Sequence, residues 1–254
     1  MIKLLNANFH ELFRSKCFIL TVLICTVIGA GLTAGMYFYP NFNMPESSGI
    51  VVNKDNVLGI MPSFAAIVIP FAASATVAVM LDSQYKQGTV RNMMTCGHTR
   101  TEIFFADLIT MSAATVIYFV CYQAGVFFLS VFVLGYEGYT LKAALVSMSV
   151  MLLMLICIST VLSLVLGNLM RDRKTTVVIL AAQYALNMSI VFGMFKNNSK
   201  VLGYVSKVFP QSCIFDLSYS VIPDKIEENI IITLTLMTVL TIAGIVHFKK
   251  CDLK

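Results

Sequence analysis

The residues that could carry chemistry are few and widely spread. There are three histidines, His10, His98 and His247, and seven cysteines, Cys17, Cys25, Cys96, Cys121, Cys157, Cys213 and Cys251. A zinc site draws on close Cys or His pairs, and no such pair or HExxH run occurs here. The cysteines therefore read as small apolar residues within helices, and neither a metal site nor a catalytic residue is assigned. A phosphate-cradling GxxxxGK[ST] loop is also absent from the sequence, so any work driven by ATP must come from another chain.

Milder polar groups are better placed. Thr176, Gln183 and Asn187 are separated by 7 and 4 residues, so a helix carries them on one face. Tyr118, Tyr122 and Gln123 cluster further upstream. Within a membrane such groups either bond between helices or line a path, and both readings are open at this point. Charged side chains are expected nowhere near mid-membrane. Glu102 and Asp107 are expected at the inner end of a long apolar stretch, where carboxylates suit a helix N-terminus.

The elements that must position these residues follow from composition. The chain has 254 residues, 58% of them hydrophobic and only 12% charged, against about 45–50% and about 25% in soluble domains. So few charged groups cannot solvate a globule of this size. A soluble enzyme, a disordered chain and a nucleic-acid binder are excluded, and an all-α, polytopic membrane protein is expected, as one domain over 1–254. Six stretches reach the roughly 20 apolar residues that a transmembrane helix needs: 17–37, 57–81, 103–134, 141–170, 175–195 and 230–248. Twelve of the 18 Lys and Arg fall in the inner segments and six in the longer outer ones when both termini are placed in the cytoplasm. Cys213 is then alone in an outer loop, which leaves no outer disulfide within the chain.

The segments between the spans also have character. In 1–16, Ile2, Leu5, Phe9 and Leu12 share a helical face while Lys3, Asn6, His10 and Arg14 lie on others, as in a helix lying along the inner membrane interface. The most polar inner segment, 82–101, is punctuated by Gly88 and Gly97. Between them 89–95 has room for two helical turns, with Val90, Met93 and Met94 on one side and with Arg91 and Arg100 presented to lipid headgroups or a partner. The third span, at 32 residues, is longer than a membrane is thick. In the second, Pro62 and Pro70 are expected to bend a helix rich in alanine. The outer segment 196–229 has aliphatics at helical spacing broken by Pro210, which reads as a hairpin dipping back into the membrane.

The run SQYKQGTVRNMMTCGHTRTEI, residues 83–103, resembles the first cytoplasmic loop of type-2 ABC transporter permeases, the six-span exporter subunits of Gram-positive bacteria. The residues carrying the likeness are Gly88, Thr89, Val90, Arg91, Gly97, Thr99 and Arg100. HELFRSKCFIL at 10–20 is similar to the family's amphipathic elbow and first helix, and FKKCDLK at 248–254 to its basic end. The sequence departs at Gln84, where the family often has glutamate, so no acidic contact is assigned there. The resemblance implies six transmembrane helices, an N-terminal elbow helix, a cytoplasmic coupling helix formed by the Gly88 to Arg100 loop, and an outer re-entrant hairpin. It further implies a bacterial cytoplasmic-membrane exporter subunit, not itself catalytic. Its partners would be two copies of an ABC ATPase that binds ATP and Mg, a second permease chain (identical or paralogous), and membrane lipid, with no nucleic acid. The translocation path would be lined by Pro70, Tyr122, Thr176, Gln183 and Asn187. Peptides or antimicrobials, lipids and amphiphilic drugs all suit so neutral a path. The rival reading is a membrane scaffold or sensor that transports nothing.

Overall fold

A computed structural model describes residues 1–38, 58, 61–170, 178–185, 217 and 226–250. Every regular element among them is helical. In chain order they are α1 (Ile2–Arg14), α2 (Lys16–Phe38), a 3₁₀ turn (Met61–Phe64) leading into α3 (Ala65–Lys86), α4 (Thr89–Thr95) and α5 (Arg100–Phe127), which continues as a π-turn (Phe128–Val133). After Gly135 come α6 (Leu141–Leu155), a second π-turn (Ile156–Val161), α7 (Leu162–Met170) and, near the end of the chain, α8 (Ile226–Lys250).

Five helical stretches among the described residues are long and apolar enough to cross a membrane: Lys16–Gly35, Met61–Lys86, Arg100–Val133, Leu141–Leu166 and Ile226–Lys249. The chain is thus a multi-pass membrane protein with a helical fold. Of the six expected spans, the fifth (175–195) lies largely outside the described residues, which include only its 178–185 portion, a helix. The expected outer hairpin likewise falls almost wholly outside them. Its last residues differ from expectation, because α8 starts at Ile226 and so takes in 226–229. The Glu227 and Glu228 carboxylates in its first turn suit a helix start.

Burial is uneven among the spans. About 61% of the most apolar stretch of Met61–Lys86 is covered by protein, against 22% in Lys16–Gly35 and 11% in Ile226–Lys249. The alanine-rich helix is therefore central. Ala65, Ala66, Ala73 and Ala78 are all within 2% of full burial. The helix runs unbroken through Pro70, and the Ser74 hydroxyl donates to the Pro70 carbonyl at 2.6 Å. Pro62 sits in the preceding 3₁₀ turn, where a missing N–H is tolerated.

The long helix α5 is the hub and touches α1, α2, α3, α4, α6 and α8. Its most extensive partner is α2, and the two backbones meet at a pair of glycines. A Cβ on Gly125 would stand 2.6 Å from the Thr26 carbonyl oxygen, and one on Gly29 would stand 2.7 Å from that of Tyr122. Such close approach is how membrane helices gain dispersion contact when lipid offers no hydrophobic contrast.

Candidate functional site

The expected two-turn helix forms where the spacing placed it, over Thr89–Thr95, and the glycines on either side explain why. Gly88 has φ of +65° and Gly97 of +89°, both in the left-handed region that favours glycine. Gly97 closes α4 in a Schellman motif: its N–H donates to the Met94 carbonyl at 3.0 Å, and the His98 N–H donates to that of Met93 at 3.2 Å. Thr99 then starts α5 with a capping box. Its hydroxyl accepts from the Glu102 N–H at 3.3 Å, and its own N–H donates to Glu102 Oε2 at 3.1 Å.

The residues of this segment divide by direction. Val90 is 3% exposed and docks into a cluster with Leu4 of α1, Leu81 of α3, Phe104 of α5, Leu164 of α7 and Phe248 of α8, with Met93 and Met94 packed beside it. Thr89 is half-buried, whereas Arg91, Asn92 and Thr95 are exposed. Arg100 turns back into the molecule. Its guanidinium donates to the carbonyls of Lys249 at 2.8 Å and Phe248 at 3.3 Å, capping the C-terminal end of α8, where a cation suits the helix dipole. Against the expectation that both arginines face lipid or a partner, they differ: Arg91 is exposed, whereas Arg100 is drawn inward by the carbonyls of Phe248 and Lys249 and ties α5 to the last helix.

The N-terminal helix is amphipathic as expected, but its inward face is rotated. Leu4, Asn8 and Leu12 are buried, Leu5 and Phe9 flank them, and Ile2 is 78% exposed. The cause is polar. Asn8 Nδ2 donates to Asp107 Oδ1 at 2.8 Å, which turns that side of α1 onto α5. Asp107 itself departs from expectation. It lies beyond the first turn of α5 and is 4% exposed, so it acts as a buried hydrogen-bond acceptor and not as a helix-start charge. Gln84 Nε2 donates to the same oxygen at 3.2 Å. Gln84 is thus turned inward.

The residues expected along a path are buried where they are described. Pro70 lies in the interior of α3. Tyr122 is fully buried, and its hydroxyl donates to the Met61 carbonyl at 3.4 Å. Gln183 is fully buried, and neither of its amide atoms is hydrogen-bonded to a described residue. Thr176 and Asn187 lie outside the described residues. Tyr118 shares a 2.6 Å hydrogen bond with Thr76 of α3, and Gln123 Nε2 donates to the Pro62 carbonyl of the 3₁₀ turn at 3.2 Å, so the two hold α5 to α3 and to the turn before it.

Sequence reasoning did not find the Asn8–Asp107–Gln84 junction. Its one trace is the amide of Asn8 in the middle of the Leu4–Leu12 stripe, where an apolar residue would otherwise stand. Among the described residues no three of His, Cys, Asp and Glu come together as metal ligands would. No protein-family model matches the chain, and no curated protein does.

Proposed function

We propose that the chain is the membrane-spanning subunit of an ATP-binding cassette exporter, driven by a separate ATPase. The observation that carries the reading is the short helix α4. It is set between two left-handed glycines, anchored inward by Val90 and shows Arg91 outward. A seven-residue helix joined to a central span on one side and to the hub helix on the other suits docking into a groove of a motor protein. In this reading α4 is the cytoplasmic coupling helix, α1 is the elbow in the inner leaflet, both termini are cytoplasmic and 196–229 forms the outer hairpin. Two such chains, identical or paralogous, would pair in the bacterial cell membrane over two ATPases. Pro70 and Tyr122 lie inside the protomer, so a path reaching them opens only when α3 and α5 part. Peptides, lipids and amphiphilic drugs remain the substrate classes that fit.

Co-purification in mild detergent from the native host, with Arg91→Glu as the comparison, tests this. The wild type should bring down a stoichiometric protein bearing a Walker A sequence. Charge reversal at an exposed arginine should remove that partner and leave the thermal stability of the chain unchanged. If the native chain brings down no ATPase after crosslinking, the scaffold or sensor reading takes its place.

A further inference from the structure

At the end of the bundle opposite α4, the last turn of α2, the chain leaving the π-turn after α5, and Leu58 ahead of α3 surround a cavity of about 490 Å³. That volume falls within the roughly 300–1,000 Å³ of small-molecule sites. Its lining includes Tyr37, Tyr136 and Glu137, and among the described residues no Lys, Arg or His joins them. Glu137 is exposed and forms no ion pair among the described residues. An interfacial aromatic belt accounts for tyrosines at the end of a span. It accounts for neither the hollow between them nor the carboxylate beside them.

The wall that carries Tyr136 and Glu137 is braced. Gly135, with φ of +65°, turns the chain out of the span, and the Tyr136 N–H donates to the Ser130 carbonyl at 2.9 Å. A Cβ at Gly138 would overlap the Tyr136 hydroxyl and ring, so that ring lies directly against the Gly138 backbone. Tyr139 stands nearly perpendicular to it, with centroids 4.8 Å apart. Tyr139 is fixed in turn by Phe127, at 4.8 Å, and by its own hydroxyl, which donates to the Leu58 carbonyl at 2.8 Å.

An aromatic face carries negative partial charge and a carboxylate a full one, so two tyrosines and a glutamate around an open hollow attract a cation. A hard metal ion takes several oxygen ligands, whereas one carboxylate is the whole anionic charge among the described lining residues. An ammonium bearing methyl or methylene groups suits the site better, since its charge meets Glu137 while its carbons contact the rings. We propose that Tyr37, Tyr136 and Glu137 form a binding site for an organic ammonium group, either free or carried by a lipid headgroup. The inference does not depend on the transporter reading.

The test is equilibrium dialysis of labelled choline against the full chain in mild detergent. The competitor is the neutral analogue in which carbon replaces the ammonium nitrogen. Choline should bind saturably, and the neutral analogue should not displace it. Tyr37→Leu should weaken choline binding about 2- to 5-fold, the worth of one exposed cation–π contact, and Tyr37→Phe should not. Glu137→Gln should weaken it by a similar factor of about 2- to 5-fold. Glu137→Lys puts a cation in the hollow and should abolish binding, while melting with the wild type because the position is exposed. A second arm measures the lipids retained by the chain, using native mass spectrometry. Loss of phosphatidylethanolamine but not phosphatidylglycerol from Glu137→Lys assigns the site to a headgroup. Glu137-dependent choline binding with unchanged lipid retention assigns it to a soluble ammonium. The inference is overturned if neither choline nor phosphatidylethanolamine binds in a way that depends on Glu137, or if the neutral analogue competes as well as choline itself.

Discussion

The contact of α2 with α5 can be tested by adding one methyl group at a time. In Gly125→Ala the new Cβ would lie 2.6 Å from the Thr26 carbonyl oxygen and 3.3 Å from the Ala30 nitrogen. Both are backbone atoms, so no side chain can swing aside. Opening 2.6 Å to the 3.4 Å of ordinary contact moves the helices apart by roughly 0.8 Å, a gap that forfeits a quarter to a half of each dispersion contact along the seam. Overpacking of this kind costs about 1–3 kcal/mol, and a chain of this length loses about 2–4 °C of melting temperature per kcal/mol. Gly125→Ala should therefore melt about 3–10 °C lower in a thermal scan in mild detergent. Gly29→Ala, whose Cβ would meet the Tyr122 carbonyl at 2.7 Å, should behave alike. The double variant should fall by less than the two together, since one separation accommodates both methyls. Gly31→Ala is the control, with nothing within 4 Å of its added Cβ. It should melt with the wild type or slightly above, because alanine favours helix by up to about 1 kcal/mol. If Gly125→Ala melts with the wild type, the helices do not meet at this notch.

Two further outcomes follow from the cluster beneath α4. Val90→Asp puts a carboxylate into a position 3% exposed and removes about 1.5–3 kcal/mol of docking, so hydrogen exchange of the amides of residues 89–95 should speed up at least tenfold, and unchanged exchange would mean that α4 is not held by Val90. Arg100→Ala removes both donors from the Phe248 and Lys249 carbonyls, about 1–2 kcal/mol for partly exposed charge-assisted bonds, and should loosen the last turn of α8 in the same exchange measurement while leaving its middle protected.

Features that depend on local spacing were legible in the sequence. Apolar run length placed the spans that are described, to within a few residues of the helices that contain them. The two glycines delimited α4, because a left-handed residue is nearly always glycine and a Schellman closure needs one. Where the sequence misled, the determinant lay far away along the chain. The rotation of α1 depends on Asp107, 99 residues beyond Asn8. The inward turn of Arg100 depends on carbonyls 148 and 149 residues later. No window of sequence holds both partners, so Asn8 read as one polar position among others, and Asp107 as a helix-start charge. Tyr122 is the converse case. Its type and register were plain, but its role in packing against Met61 depends on how α3 and α5 cross.

The same long-range bonds decide what α4 can do. A short helix flanked by two glycines would ordinarily be free to swing, and a push on it would be lost in its hinges. Here the inward side of the segment is backed by contacts. Val90 sits in a cluster drawn from five other helices, Gln84 holds the end of α3 to Asp107, Asn8 holds α1 to that same carboxyl, and Arg100 holds the end of α8. Displacement of α4 must therefore be shared by α1, α3, α5 and α8, the helices that surround one end of the bundle. In the transporter reading we propose, glycine flexibility would let α4 adapt to the motor protein, and the buried bonds behind it would turn that adaptation into movement of the spans. Under that proposal, loss of the bonds at Asp107 should weaken the transfer without altering the exposed face of α4, so variants there would separate partner binding from its consequence in the membrane.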